Sequence, residues 1–148
     1  MLHHLAFFAL LAVGYPLAPS RLRAEDVPQI ARWVYEAAEA EEASIDDAEL
    51  EMVWIAFESS GRPDARSIDG HDCSLLQLRG AARAGYSCAE LADDPVLAAR
   101  LWLRHLHAAR LTCGSTARAL GAVATGVCGG APRLVARRCA LAGVDCTE

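Results

Sequence analysis

Residues 58–78 read Glu-Ser-Ser-Gly-Arg-Pro-Asp-Ala-Arg-Ser-Ile-Asp-Gly-His-Asp-Cys-Ser-Leu-Leu-Gln-Leu, and this segment interrupts a chain that otherwise has the pattern of helices. Its first part, residues 59–63, is rich in serine, glycine and proline, which end helices and favour turns. We therefore predict that residues 61–78 form an irregular or briefly extended loop.

The sequence on both sides of this loop has the spacing of amphipathic helices. From Leu50 to Phe57 the apolar residues recur at i, i+3, i+4 and i+7, which predicts a helix from about Asp47 to Glu58. The pattern therefore predicts a mainly α, single compact domain with one irregular loop after its second helix. Capping residues and apolar spacing predict four further helices, beginning at Asp26, Asp94, Ser115 and Pro132, the last three ending near Arg110, Gly126 and Ala142.

Composition excludes two classes of protein. The chain has 148 residues, of which 53% are hydrophobic and 22% charged, enough for one folded domain and too apolar for wholesale disorder. Its net charge is −5, with 14 arginines and no lysine, which excludes a globally basic nucleic-acid binder. The charge is uneven, since residues 25–58 hold eleven acidic residues and one arginine, whereas residues 59–148 hold eight and eleven.

The N-terminus resembles a targeting segment. Leu5 to Leu17 is apolar over 13 residues, too short for a membrane span of about 20 but typical of a signal-peptide core. We expect residues 1–24 to be a signal peptide, removed or kept as a membrane anchor, and residues 25–148 to be the folded domain. The alternative is a buried N-terminal helix.

The cysteines support export. There are six, all between residues 73 and 146, and an even number in one region is typical of a disulfide framework formed in an oxidising compartment. We expect an exported protein, periplasmic or extracellular. No Cys-x-x-Cys pair occurs, so the spacing does not favour zinc. Six cysteines can form three disulfides in fifteen ways, and among these we predict sequential pairing, Cys73–Cys88, Cys113–Cys128 and Cys139–Cys146.

The quoted segment resembles the signature of the lytic transglycosylases of the lysozyme-like superfamily. In that family a helix ends in Glu-Ser, and a loop with Pro, Ala, Ser and Gly at fixed steps leads to a Gly-Leu-x-Gln-type segment. The stretch 119–126, Ala-Leu-Gly-Ala-Val-Ala-Thr-Gly, is similar to the family's later Ala-Leu-Ala-Ala-Tyr-Asn-x-Gly. The resemblance covers roughly residues 26–142 and implies a lysozyme-like fold. The matching positions, with one extra residue after Gly70, are Glu58, Ser59, Pro63, Ala65, Ser67, Gly70, Leu75 and Gln77.

The resemblance implies an enzyme that cleaves the MurNAc–GlcNAc β-1,4 bond of bacterial peptidoglycan without a cofactor or metal. Glu58 would be its general acid/base, and Ser59, Ser67 and Gln77 would contact substrate. Such cleavage needs a carboxylic acid that donates a proton to the leaving oxygen. The apolar stripe before Glu58 would desolvate its side chain, and desolvation together with the negative end of the helix favours the protonated form.

Two alternatives stay open at this point. Asp72 lies five residues before Gln77, as in the lysozyme variant of the motif, so the chain is also compatible with a muramidase that uses Glu58 and Asp72. Alternatively, the domain is degenerate and binds glycan strands without cutting. This second alternative rests on three departures from the family pattern, namely Ser74 in place of glycine, and Val123 and Ala124 in place of the Tyr-Asn pair.

The expected partners are peptidoglycan glycan strands, with no nucleic acid, and the expected state is a monomer. Membrane association would come only through residues 1–24. Arg100, Arg104 and Arg118 are candidates for contacts with substrate carboxylates, the alternative being a solvated face. For the histidines, His71, His105 and His107, we expect core or surface roles rather than metal binding.

Overall fold

Capping side chains set the starts of most helices. In the computed structural model, which describes residues 22–147, Ser44 accepts a hydrogen bond from the backbone N–H of Asp47 at 3.1 Å. The second helix therefore begins at Ile45, two residues before the predicted start. Asp94 and Ser115 also cap their helices through the side chain, as the sequence predicts.

The described residues form six α-helices and one short 3₁₀ turn. Their bounds confirm the prediction of a mainly α domain, and each of the five predicted helices is present. The helices are α1 (Val27–Ala40), α2 (Ile45–Glu58), α3 (Cys88–Asp93), α4 (Pro95–Cys113), α5 (Thr116–Thr125) and α6 (Pro132–Ala142), with the 3₁₀ turn at Gly80–Arg83.

One local prediction needs correction, and one short helix has no counterpart among the predicted helices. Asp26 is at the N-cap position of α1, but its side chain makes no capping hydrogen bond and instead accepts one from Arg23 at 2.8 Å. The short helix α3 was not predicted, although Ser87 and Glu90 have the spacing of a capping box and form one in the structure.

The core is built around α4, which packs against α1, α2, α3 and α5. Trp102 of α4 and Trp54 of α2 are both almost fully buried, and their rings meet with centroids 5.7 Å apart at 48°. This pair brings the C-terminal part of α2 next to the middle of α4. The end of α2 therefore packs directly on α4.

The folded domain reaches further toward the N-terminus than residue 25. Leu22 is 6% exposed and belongs to the hydrophobic core, although the sequence assigns residues 1–24 to a leader. Residues 1–21, which include the apolar segment on which the leader prediction rests, lie outside the described residues. Between residues 22 and 147, no helix is both long enough and apolar enough to cross a membrane.

Three disulfides join helix ends to loops. They pair the cysteines sequentially, and no free cysteine remains. Cys73–Cys88 ties the loop after α2 to the start of α3, Cys113–Cys128 ties the end of α4 to the α5–α6 loop, and Cys139–Cys146 ties α6 to the C-terminal segment. The predicted disulfide-braced domain is therefore present.

Candidate active site

A cleft of about 440 Å³ lies where the end of α2, the loop after it, the middle of α4 and the end of α5 meet. Its apolar base includes the indole rings of Trp54 and Trp102. Its polar lining residues are Glu58, Asp72, Gln77, Arg79, His105 and Thr125. The cleft thus places a carboxylate at a helix end beside apolar lining residues, a combination common in ligand-binding pockets.

Glu58 is the last residue of α2, and its side chain is 29% exposed. Nη1 of Arg138, from α6, donates a hydrogen bond to Oε1 of Glu58 at 2.6 Å. The expected apolar wall is present in Trp54, but the carboxyl group is also paired with the guanidinium of Arg138. The environment of Glu58 is therefore not the purely desolvating one that the sequence suggests.

Gln77 reaches the cleft from a loop that its own side chain braces. Nε2 of Gln77 donates to the carbonyl oxygens of Ala65 and Ser74, both at 3.0 Å. Isolated β-bridges, Arg66 with Cys73 and Cys73 with Leu78, agree with the prediction of an irregular or briefly extended loop. The loop returns Gln77 to the side of Glu58 because these contacts close it on itself.

Ser59 and Ser67 do not line the cleft. Ser59 is 3% exposed, donates to the carbonyl of Ile55 and accepts from the N–H of Gly61, so it shapes the turn that ends α2. Ser67 donates to Asp69 at 2.6 Å and accepts from the N–H of Asp72 at 3.0 Å. Both predicted substrate contacts therefore hold the loop in shape rather than face the cavity.

Asp72 lines the cleft but is engaged by Arg79. Nε of Arg79 donates to Asp72 at 2.5 Å, and Nη2 of the same side chain donates to Asp69 at 2.6 Å. Hydrogen bonds from Ser67 and from the N–H of His71, with the contribution of Arg79, lower the pKa of Asp69 to about 2. The two aspartates thus anchor an arginine at the mouth of the cleft.

The departures from the family pattern fall in different places. Val123 and Ala124 line the cleft, so apolar atoms stand where the family has Tyr-Asn. Ser74 is 1% exposed and is outside the lining, with a φ of 74° that favours glycine. The side chain of Ser74 is therefore buried outside the cavity lining, in a backbone conformation that is strained for a residue other than glycine.

Several cleft residues were not predicted. His105 and Trp102 are three residues apart on α4 and face the cavity together, a spacing that could have grouped them. Partial burial lowers the pKa of His105, which favours its neutral form. Arg138 is 80 residues from Glu58 in sequence, so no local pattern could have indicated their contact.

The arginines proposed to meet substrate lie elsewhere. Arg100 and Arg104 both pair with Glu41, each at 2.7 Å, and their contacts join α4 to the end of α1. Arg118 lines a second, largely apolar cavity of about 510 Å³ between α5, α6 and the C-terminal segment. In the described part of the chain, no cluster of three His, Cys, Asp or Glu side chains has the arrangement of a metal site.

No protein-family model matches this sequence, and no match was found to a curated protein or to a solved structure.

Proposed function

We propose that the protein is a lytic transglycosylase that cleaves the MurNAc–GlcNAc β-1,4 bond of peptidoglycan, with Glu58 as general acid/base. The observation that supports this most is the convergence of two separate stretches on one cleft. The loop that follows Glu58 and the stretch 119–126 each resemble the family's motifs, and residues of both line the same cavity. A chance likeness in either stretch gives no reason for the two to meet beside a carboxylate.

The reaction needs one proton donor that then becomes an acceptor. Protonated Glu58 donates its proton to the glycosidic oxygen as the bond from that oxygen to C1 of MurNAc breaks. The resulting carboxylate takes the proton of the C6 hydroxyl, whose oxygen bonds to C1 and closes a 1,6-anhydro ring. No water is consumed, and Glu58 returns to its starting state.

Export is part of the proposal. Disulfides form and persist mainly in oxidising compartments, and residues 5–17 are an apolar stretch typical of a signal-peptide core. We place the protein in the periplasm or outside the cell, acting as a monomer on glycan strands.

The test is to incubate the purified protein with peptidoglycan sacculi and to identify the released muropeptides by mass. We expect anhydro-terminated products, each lighter by one water molecule than the corresponding hydrolysis product. Glu58→Gln should abolish their release, whereas Glu49→Gln, the same change on the same helix but outside the cleft, should not. Equal release by Glu58→Gln and the unchanged protein would refute the assignment.

A glycan-binding domain without activity is the second candidate. The specific observation in its favour is that Val123 and Ala124 place apolar atoms in the cleft. This candidate predicts that sacculi bind the protein and that no muropeptide of either kind is released.

A muramidase is the third candidate, favoured by the presence of Asp72 in the same cleft as Glu58. It predicts products with reducing ends instead of anhydro ends. The pairing of Asp72 with Arg79 gives the side chain a role in the loop, so we rank this candidate below the first.

A further inference from the structure

We infer that Arg138 is a positioning residue for Glu58: it fixes one carboxylate oxygen and leaves the other to exchange the proton with substrate. This inference rests on the proposed function, because it assigns Arg138 a role in the same reaction. Oε1 of Glu58 accepts the hydrogen bond from Arg138, and within the described residues Glu58 accepts no other.

The guanidinium of Arg138 is held on three sides. Its central carbon lies 4.4 Å from the ring centroid of Trp54 and 5.2 Å from that of Phe57, and its Nη1 binds Glu58. These three partners are at positions i, i+3 and i+4 and therefore lie on one face of α2. The side chain of Arg138, from α6, contacts all three of them at the end of that helix. The contact fixes both the position and the rotamer of the catalytic carboxyl group.

Burial makes this contact unusual among the arginines. Arg138 is 6% exposed, and no other arginine of the described residues is buried. Its neighbour Cys139 forms a disulfide with Cys146, which anchors this part of α6. Burying the guanidinium of Arg138 costs desolvation free energy, which its pairing with Glu58 offsets. Removing either partner would leave the other charge without compensation.

The other charged groups near Glu58 have partners or lie further away. Arg79 of the loop pairs with Asp72, and His105 of α4 lines the cleft in a site that favours its neutral form. Arg137 of α6 lies over Phe57, with its guanidinium carbon 5.8 Å from the ring centroid. Arg138 is therefore the cation that acts directly on the charge of Glu58.

In the reaction, the guanidinium acts on the carboxylate that exists between the two proton transfers. When Glu58 has given its proton to the leaving oxygen, Arg138 stabilises the new negative charge without moving. The second oxygen, which Arg138 does not hold, then accepts the proton of the C6 hydroxyl. Without Arg138 the carboxyl group would rotate more freely, and its new negative charge would lose the guanidinium that binds it.

The experiment compares Arg138→Met and Arg138→Lys with Arg137→Met as the matched control. Arg137 precedes Arg138 on α6 and shares Phe57 as a neighbour, but makes no contact with Glu58. Release of anhydro-muropeptides is measured as a function of substrate concentration. We expect Arg138→Met to lower kcat by about tenfold or more with little change in KM, because the carboxyl group is no longer held in position for proton transfer. Arg138→Lys should recover part of kcat, and Arg137→Met should leave kcat and KM unchanged.

A second readout does not depend on activity. The signal of the side-chain carboxyl carbon of Glu58 is recorded by NMR, with Glu58→Gln used to assign it. We expect this signal to change its chemical shift in Arg138→Met and not in Arg137→Met, because only the first change removes the hydrogen bond to Oε1 of Glu58. If the unchanged protein releases no product, the proposed function fails, while this signal still decides the contact.

An unchanged kcat and an unchanged carboxyl signal of Glu58 in Arg138→Met would overturn the inference, as would equal changes in Arg137→Met. If Arg138→Met does not fold, as judged by circular dichroism, Arg138→Gln provides the neutral variant. Its amide keeps a hydrogen-bond donor in the buried site, so the fold has one fewer unsatisfied group.

Discussion

Glu51 and Glu58 lie seven residues apart on one side of helix α2, and the fold surrounds their carboxyl groups in opposite ways. Glu58 opens to the cleft and pairs with Arg138. Glu51 is 0% exposed, and neither of its carboxyl oxygens has a hydrogen-bond partner among residues 22–147. One helix therefore carries an ion-paired carboxylate and a buried carboxylic acid.

The buried acid makes stability depend on pH. Burial, and secondarily the nearby charge of Asp47, raises the pKa of Glu51 well above its usual value of 4.5. Above about pH 4.5 the unfolded chain loses this proton while the folded chain keeps it. The contribution of Glu51 to stability therefore falls as pH rises, by about 1.4 kcal/mol per pH unit, until the folded-state pKa is reached.

We predict that Glu51→Gln removes this dependence. The difference in unfolding free energy between Glu51→Gln and the unchanged protein should be smallest near pH 4 and should shift in favour of the variant as pH rises to 8. Urea denaturation at several pH values measures it. The control is Glu36→Gln, an exposed glutamate of α1, which should show no such trend. A difference independent of pH would contradict the prediction.

Gly121 lies where α5 meets the loop that follows it. A Cβ at this position would lie 2.6 Å from both the backbone nitrogen and the carbonyl oxygen of Gly130, and 2.8 Å from the carbonyl carbon of Gly129. We predict that Gly121→Ala destabilises the fold by about 1–3 kcal/mol, because backbone must move to admit the methyl group. In an open helix the same change stabilises by about 1 kcal/mol, so the sign of the effect in thermal unfolding decides the matter.

Local signals predicted much of this fold because they are contained within single helices. Pro132 and Gly143 bound α6 as the sequence indicates, since proline suits a helix start and glycine accepts the left-handed conformation that closes one. The helix Cys88–Asp93 was missed because six residues are too few for an apolar period, although its capping box was readable.

The residues of the candidate site likewise include some that a local motif predicts and some that only the packing of helices brings together. A motif of fixed spacing placed Glu58 and Gln77 together, and the structure puts both on one cleft. The contact of Arg138 with Glu58 depends on how α6 packs against α2, which no short window of sequence contains. For Ser59 and Ser67 the motif predicted substrate contacts, but their hydroxyl groups bond to backbone atoms of α2 and of the loop after it instead. A motif alone does not distinguish these two uses of a hydroxyl group.

We predict that the disulfide Cys73–Cys88 stabilises the loop that follows α2 and carries Gln77 into the cleft, and that Cys113–Cys128 does not. Each closes a span of 15 residues, so each double replacement by alanine should cost about 3 kcal/mol in chain-entropy terms. Only loss of the first should speed amide hydrogen exchange at Cys73 and Leu78, whose N–H groups bond to each other's carbonyls at 3.2 and 2.8 Å. Equal exchange in both variants would show that the loop does not need its disulfide. In the unreduced, unchanged protein, a thiol assay should detect no free cysteine.

Asp72 gives the sharpest division between the two cleavage mechanisms. If Glu58 works alone, Asp72→Asn should still release anhydro products, and its rate should fall by less than about tenfold because only the loop contact with Arg79 is weakened. If Asp72 is a nucleophile or stabilises charge, the rate should fall by about 10²-fold or more and the remaining products should carry reducing ends. Asp69→Asn is the matched control, since Asp69 pairs with the same arginine but does not line the cleft. A large loss in Asp72→Asn with little loss in Asp69→Asn would favour the muramidase, because both variants weaken the hold on Arg79 and only one removes a carboxylate from the cavity.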